Sequence, residues 1–207
     1  MPKISKKSTT LLVIVVCVFV IAGVKIFFQV FRLGPDDTIA ARAKGNPEGA
    51  IRITEYVDFQ CRNCARGARY LSRFMNDHPD QVYLELKFFS TSGKHSLLSA
   101  RFAECAARQG KFWPFHDLLI RRQHQWKKLA DAHTAFEQMA KDIDLDLSRL
   151  EKCLEDKSIA KLILKEKTDA KSLGIRRTPT YFVNGKMVVG LKSLKQELKQ
   201  YFGGSDH

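Results

Sequence analysis

Apolar and polar positions change their period several times along this chain, and each change marks an element. Leu11 to Val24 is an unbroken apolar run of 14 residues behind Lys3, Lys6 and Lys7, and it extends through Phe31 if Lys25 and Gln29 are tolerated. Such a run reads as an export or anchoring signal and not as part of the fold. The roughly 20 residues needed to cross a bilayer are reached only when its second half is counted. An uncleaved anchor is the preferred reading, and a cleaved signal peptide ending near Ala22 is the alternative. Residues 33–49, with Gly34-Pro35-Asp36-Asp37 and Gly45-Asn46-Pro47-Glu48-Gly49, read as a linker whose middle, Thr38 to Lys44, is a candidate helical turn.

Regular patterning begins at Ile51. Residues 51–59 alternate and are rich in β-branched and aromatic side chains, which predicts a strand. From Cys61 to Met75 the small or apolar positions Cys64, Ala65, Ala68, Leu71 and Phe74 recur at helical spacing, and Asp77-His78-Pro79 closes the segment. Val82 to Phe89 is the next strand, so the order strand, helix, strand predicts a right-handed parallel crossover. Helical periodicity then dominates in candidate helices at 96–108, 112–122, 132–143, 147–155 and 158–173. Strand pattern returns at Thr180 to Val183 and Lys186 to Val189 around Asn184-Gly185, the dipeptide of a tight hairpin turn. A last amphipathic helix covers 194–202. The expected architecture is an α/β core over 50–203 with a helical insertion at about 94–173, preceded by a cytoplasmic tip and anchor or signal segment at 1–32.

The formal charge of +13 needs dividing before it is interpreted. Lys3, Lys6, Lys7, Lys25 and Arg32 contribute +5 with no acid before Asp36, which leaves +8 on the remainder. Basic residues there are interleaved with acids along the predicted helices, and no nucleic-acid motif accompanies them, so a solvated basic surface is the plainer reading and no nucleic-acid partner is expected. The histidines form no metal spacing, and neither a metal nor a cofactor is expected.

Cysteine usage changes the picture most. Cys61 and Cys64 follow the first strand and open the first helix, where residues three apart share a face and can close a disulfide across one turn. The unpartnered N–H groups and positive dipole end of that turn favour a thiolate, and Arg62, with Arg176 and Arg177 further along, adds positive charge. Glu55 shares strand parity with Val57 and Phe59 and is expected to face inward, whereas Asp58 has the opposite parity and is expected in solvent; a simple surface carboxylate is the alternative for each. With the anchor in place, residues beyond about 33 are exported into a compartment where disulfides persist. Cys105 and Cys153, both on predicted helices, then read as a second, structural disulfide, with two buried free thiols as the alternative. A four-cysteine zinc site is disfavoured, because these two lack a paired short spacing.

The string Gly45-Asn46-Pro47 through Glu55-Tyr56-Val57-Asp58-Phe59-Gln60-Cys61-x-x-Cys64, followed by Ala103-Glu104-Cys105-Ala106, Gln109-Gly110-Lys111-Phe112-Trp113-Pro114-Phe115-His116 and Thr178-Pro179-Thr180-Tyr181-Phe182-Val183-Asn184-Gly185, resembles the bacterial DsbA-like thiol-disulfide oxidoreductases. The resemblance runs from about residue 45 to the last helix. It implies a thioredoxin-like fold with an inserted helical domain, and a cis Pro179 lying against the cysteine pair with the Thr178 backbone presented to a substrate chain. It further implies a reactive Cys61, a resolving Cys64, Arg62 and Asn63 setting the poise of the couple, and a buried Glu55 able to exchange a proton with Cys64.

The expected function is therefore an extracytoplasmic thiol-disulfide oxidoreductase acting on exported cysteine-containing proteins, with an oxidase regenerated by a membrane redox partner as the preferred reading. It would sit in the bacterial inner membrane as a single-pass protein with its catalytic domain facing the periplasm. A reductase or isomerase on the same fold, or a non-enzymatic peptide-binding module of a membrane complex, are the alternatives.

Overall fold

The computed structural model describes residues 37–202 with the exception of Ser92. A five-stranded sheet organises it, with strands β1 (Ala43–Gly45), β2 (Ile51–Val57), β3 (Val82–Phe88), β4 (Thr180–Val183) and β5 (Lys186–Val189) in the spatial order β1-β3-β2-β4-β5. Central β2 (Ile51–Val57) runs parallel to β3 (Val82–Phe88), and α2 (Arg62–Asp77) provides the crossover between them. On the other side β2 pairs antiparallel with β4 (Thr180–Val183), which turns through Asn184 and Gly185, both at positive φ, into β5 (Lys186–Val189). Asn184 accepts a hydrogen bond from the Arg52 backbone N–H at 2.8 Å and donates to the Ala50 carbonyl at 3.0 Å. One turn residue thereby fixes the register of the hairpin against β2.

Alternation along β2 explains its two faces. Ile51 and Ile53 pack with Leu71 of α2, Val82 and Leu84 of β3 and Leu194 and Leu198 of α9 (Gly190–Lys199). Tyr56 has the opposite parity and meets Ala170 and Ile175 beyond the sheet. Between β3 and β4 lie α3 (Ser96–Ala107), α4 (Phe112–Arg121), α5 (Gln123–Trp126), α6 (His133–Lys141), α7 (Leu147–Glu155) and α8 (Lys157–Ser172). Their core of Phe102, Phe115, Trp126 and Phe136 is continuous with Val57 and Phe88 of the sheet and with Phe59 just beyond β2. Cys105 of α3 and Cys153 of α7 are joined in a disulfide. In the chain-entropy account, closing a loop across a separation of 48 residues stabilises by up to about 4 kcal/mol. The bond also removes both sulfurs from any zinc set.

Residues from 37 onward do not form a linker, although the expected helical turn is present. α1 (Asp37–Ala41) leads into β1 (Ala43–Gly45), which pairs antiparallel with β3 at the sheet edge. Three residues carry no readable period, which is why the strand escapes sequence inspection. Arg42, between them, is fully buried: its guanidinium grips both oxygens of Glu166 on α8 at 3.0 and 2.5 Å and lies 3.6 Å from Glu104 of α3. Glu166 in turn accepts from the Phe88 N–H at 2.7 Å, tying the edge of the sheet to the insertion.

The expected placement as a single-pass inner-membrane protein with a periplasmic domain is corrected too. Among the described residues no helix is long and apolar enough to cross a membrane. The longest, α2 and α8, have 16 residues each, which at about 1.5 Å per residue falls short of the roughly 30 Å hydrocarbon core. Both also carry several charges. The anchor or signal segment over 1–32 lies outside the described residues, and the placement built on it is withdrawn.

Candidate active site

Strand β2 ends at Val57, and Asp58 to Gln60 turn the chain into α2 with Cys61 at the N-cap. The turn is held from several directions. Asp58 accepts the Gln60 N–H through Oδ1 at 2.8 Å and, through Oδ2, the Thr91 N–H at 2.9 Å and the Ser96 hydroxyl at 2.8 Å, with the Thr91 hydroxyl on the same oxygen. Asp58 is 2 % exposed, so the expectation of a solvated carboxylate is wrong. Strand parity predicts its direction only while the strand lasts, and Asp58 lies one residue past its end. Gln123 of α5 donates to the carbonyls of Phe59 at 2.6 Å and Cys61 at 3.0 Å. The approach to the cysteines is thus a fixed loop clamped by the insertion.

Cys61 is half-buried and Cys64 wholly buried, and the two are free thiols in this structure. The Thr178–Pro179 peptide is cis and stands across from them. Cys61 Sγ directs its hydrogen to the Thr178 carbonyl at 3.6 Å, across 117 residues of sequence. No side chain caps α2, so its first N–H groups are open to a negative sulfur. Hydrogen bonding from Cys64 lowers the Cys61 pKa most, burial opposes it, and the Thr178 side chain and the backbone N–H groups of Cys64 and Asn63 lower it further, to about 5. Burial raises Cys64 well above the ordinary thiol range, and its bond to Cys61 raises it further. One cysteine is poised to attack and its neighbour to keep its proton.

Arg62 and Asn63 are exposed, and the arginines do not supply the main pull on Cys61. Arg176 spends its guanidinium on the Lys171 carbonyl at 2.7 Å, at the end of α8. Hydrogen bonds within the first turn act at shorter range than a solvated charge and dominate.

Glu55 faces α2 as its parity requires and is 1 % exposed. Burial pushes its carboxyl up to about 8, against the pull of Lys44 and the Tyr181 hydroxyl. Lys44 stands on β1 with its ammonium 4.0 Å from the Trp113 ring centre; burial lowers its pKa, and Asp117 and Glu55 pull it back up. Gly67 marks where these groups converge. A Cβ there would come within 2.0 Å of the Tyr181 hydroxyl and 3.7 Å of Glu55 Oε1, so α2 can approach only with glycine. Lys44, Gly67, Gln123 and Tyr181 were not singled out from sequence. Each matters through a partner far along the chain, and only Gly67, a glycine inside a helical pattern, left a local signal.

The family model described as Thioredoxin matches residues 37–200. The chain belongs to the thioredoxin family. A solved thioredoxin-like oxidoreductase from Silicibacter pomeroyi is 25% identical, with a TM-score of 0.64 over 79% of this chain and 92% of that one. BdbD from Bacillus subtilis, in its oxidised form, is 20% identical with a TM-score of 0.67, covering 80% and 95%, and shares the fold. The helix-inserted architecture is that of the DsbA-like thiol-disulfide oxidoreductases. Among curated proteins, a Na(+)/H(+) antiporter NhaA 3 of Salinispora tropica is 31% identical over 153 residues, 73% of this chain but 23% of its own length. The chain thus spans about a quarter of the length of the curated relatives it matches.

The cysteine environment sets a pH dependence. A thiol whose folded pKa is depressed gains thiolate stabilisation that is present above the ordinary value of about 8.5 and is lost as pH falls through the folded value. Alkylation of the reduced protein at Cys61, followed by mass spectrometry, should therefore show a midpoint near pH 5. A midpoint near the ordinary thiol value would contradict the hydrogen-bonded arrangement.

Proposed function

We propose that the protein exchanges its Cys61–Cys64 couple with cysteine-containing proteins, acting as a thiol oxidase. The reading rests chiefly on one observation, the low-pKa Cys61 sulfur held at an uncapped helix start opposite the Thr178 carbonyl, above a buried Cys64. In the oxidised enzyme a substrate thiolate attacks Cys61 Sγ, forming a mixed disulfide as the Cys61–Cys64 bond breaks. Cys64 leaves as a thiolate that takes up a proton, and Glu55, neutral below about pH 8, is the buried acid on hand to supply it. A second substrate thiolate then attacks the substrate sulfur, and Cys61 leaves as a thiolate. The substrate loses two electrons and the enzyme gains them. Turnover needs a redox partner that accepts those electrons and restores the disulfide.

Thiolate stabilisation exists only in the reduced enzyme, so it favours that state and makes the couple more oxidising. Thr178 and Pro179 supply the backbone against which an extended substrate lies. Equilibration with glutathione, followed by alkylation and mass spectrometry, tests the direction. The midpoint should lie well above the roughly −270 mV of thioredoxin; a value at that level would make the protein a reductant.

A further inference from the structure

A groove lies beside the cysteine pair, between the start of α2, the cis peptide and the start of α9, and its charge has one sign. Asn63 on the first turn of α2 and the Thr178–Pro179 peptide form the end nearest Cys61, and Val189 and Leu191, at the junction of β5 and α9, supply its apolar part. Its volume of about 570 Å³ is enough for a few side chains of an extended peptide. Arg66 of α2, Arg177 beside the cis peptide, and Lys192 and Lys195 of α9 line it, and no acidic residue does.

What sets the groove apart is that it gathers four cations and no acid, whereas some other cations stand beside acids: Arg122 with Asp142 at 2.5 Å, Lys165 with Asp169 at 2.7 Å, and Lys186 with Glu197 at 2.6 Å. That last pair uses up the buried acid of α9 away from the groove. Among the described residues none of the four groove cations has an ion pair, and Lys195 instead lies 5.0 Å from the centre of the Tyr70 ring. Four unmatched cations around a concave surface focus a positive potential there. The groove opens beside Thr178, whose carbonyl is 3.6 Å from Cys61 Sγ, so a chain bonded to Cys61 lays its neighbouring residues along it.

We infer that the groove selects acidic substrate segments: the residues flanking the reacting cysteine carry aspartate or glutamate, which Arg66, Arg177, Lys192 and Lys195 receive. This rests on the exchange reaction proposed above.

The test uses the oxidised protein and two synthetic single-cysteine peptides, one with glutamate flanks and one with lysine flanks. Flanking charge also alters a peptide's own thiol, so each rate is divided by that peptide's rate with the neutral small disulfide dithiodipyridine. The acidic peptide should then react about 10-fold faster at low ionic strength, the advantage vanishing near 1 M salt, where the screening length is about 3 Å. In the double variant Lys192→Glu, Lys195→Glu, where two glutamates offset Arg66 and Arg177, the preference shown by the unaltered protein should be lost. Equal normalised rates at low salt with the unaltered protein would overturn the inference while leaving the exchange reaction intact. No reaction with either peptide would overturn the exchange reaction itself. Equal rates with retention of the protein on phosphatidylglycerol vesicles would assign the cations to a lipid surface instead.

Discussion

Replacing Cys61 by serine should abolish thiol-disulfide exchange, lowering the rate on the order of 10³-fold or more, in an assay that follows oxidation of a dithiol peptide. The helix N–H groups and the Thr178 carbonyl would remain in place, but a serine hydroxyl neither ionises near neutral pH nor forms a disulfide. Cys64→Ser should behave differently, because the attacking sulfur survives. The Cys61 thiolate of that variant can still displace a thiolate from a substrate disulfide, and the resulting mixed disulfide then lacks its resolving thiol and accumulates. Non-reducing electrophoresis of the variant with a disulfide-bearing peptide would show the adduct. The largest pull on Cys61 is its hydrogen bond with Cys64. A serine at 64 can still donate that bond and should leave the alkylation midpoint near its low value, whereas Cys64→Ala should raise it. Unchanged midpoints in both variants would place the cause elsewhere. Retention of peptide oxidation by Cys61→Ser would refute the redox reading and favour a peptide-binding module.

The largest stability effect is expected far from the cysteines. Arg42→Met should destabilise the fold by about 3–5 kcal/mol, since removing one partner of a buried ion pair leaves the other uncompensated. Glu166, 13 % exposed, would then lose its cation, and the wholly buried Glu104 would keep only Arg108 at 3.5 Å. For a chain of this size the corresponding fall in melting temperature is roughly 10 °C. Burial raises the Glu104 pKa. Such a carboxyl costs stability when ionised and is relieved as pH falls through its folded value, so the penalty of Arg42→Met should shrink in acid. Adding Glu104→Gln and Glu166→Gln should recover part of the loss at neutral pH, because glutamine at 166 can still accept the Phe88 N–H. Denaturant melts of the single and triple variants would check both points, and a loss under about 1 kcal/mol for Arg42→Met would show that the cluster is solvated.

Much of the fold was legible because its elements have strong local periods. The hairpin strands at 180–183 and 186–189 and the helix at 147–155 match the observed spans residue for residue. Local reading failed where an element is defined by its partner. β1 is three residues paired only along β3, and α5 is a single turn whose Gln123 clamps the Phe59 and Cys61 carbonyls. The last helix begins at Gly190, four residues earlier than its apolar pattern suggests, because that glycine takes φ +79° at the junction with β5. The structure brings Cys61 and Cys64, which the motif names, beside Thr178 and Pro179 and buries Glu55, in line with the resemblance and with strand parity, whereas parity extended past the strand end misplaces Asp58.

By itself the sequence determined the order of elements, the position of the cysteine pair at a strand-to-helix junction and the inward direction of Glu55, since each depends on residues within a few positions of one another. Only the tertiary structure decided that the Thr178 carbonyl faces Cys61, that Lys44 and Tyr181 gather at Glu55, that Arg42 is buried between two glutamates, and that four cations beside the cysteines stand unmatched. The physical reason is range. Periodicity is a local property of the chain, whereas a pKa or a groove's charge is a sum over groups that only folding brings together.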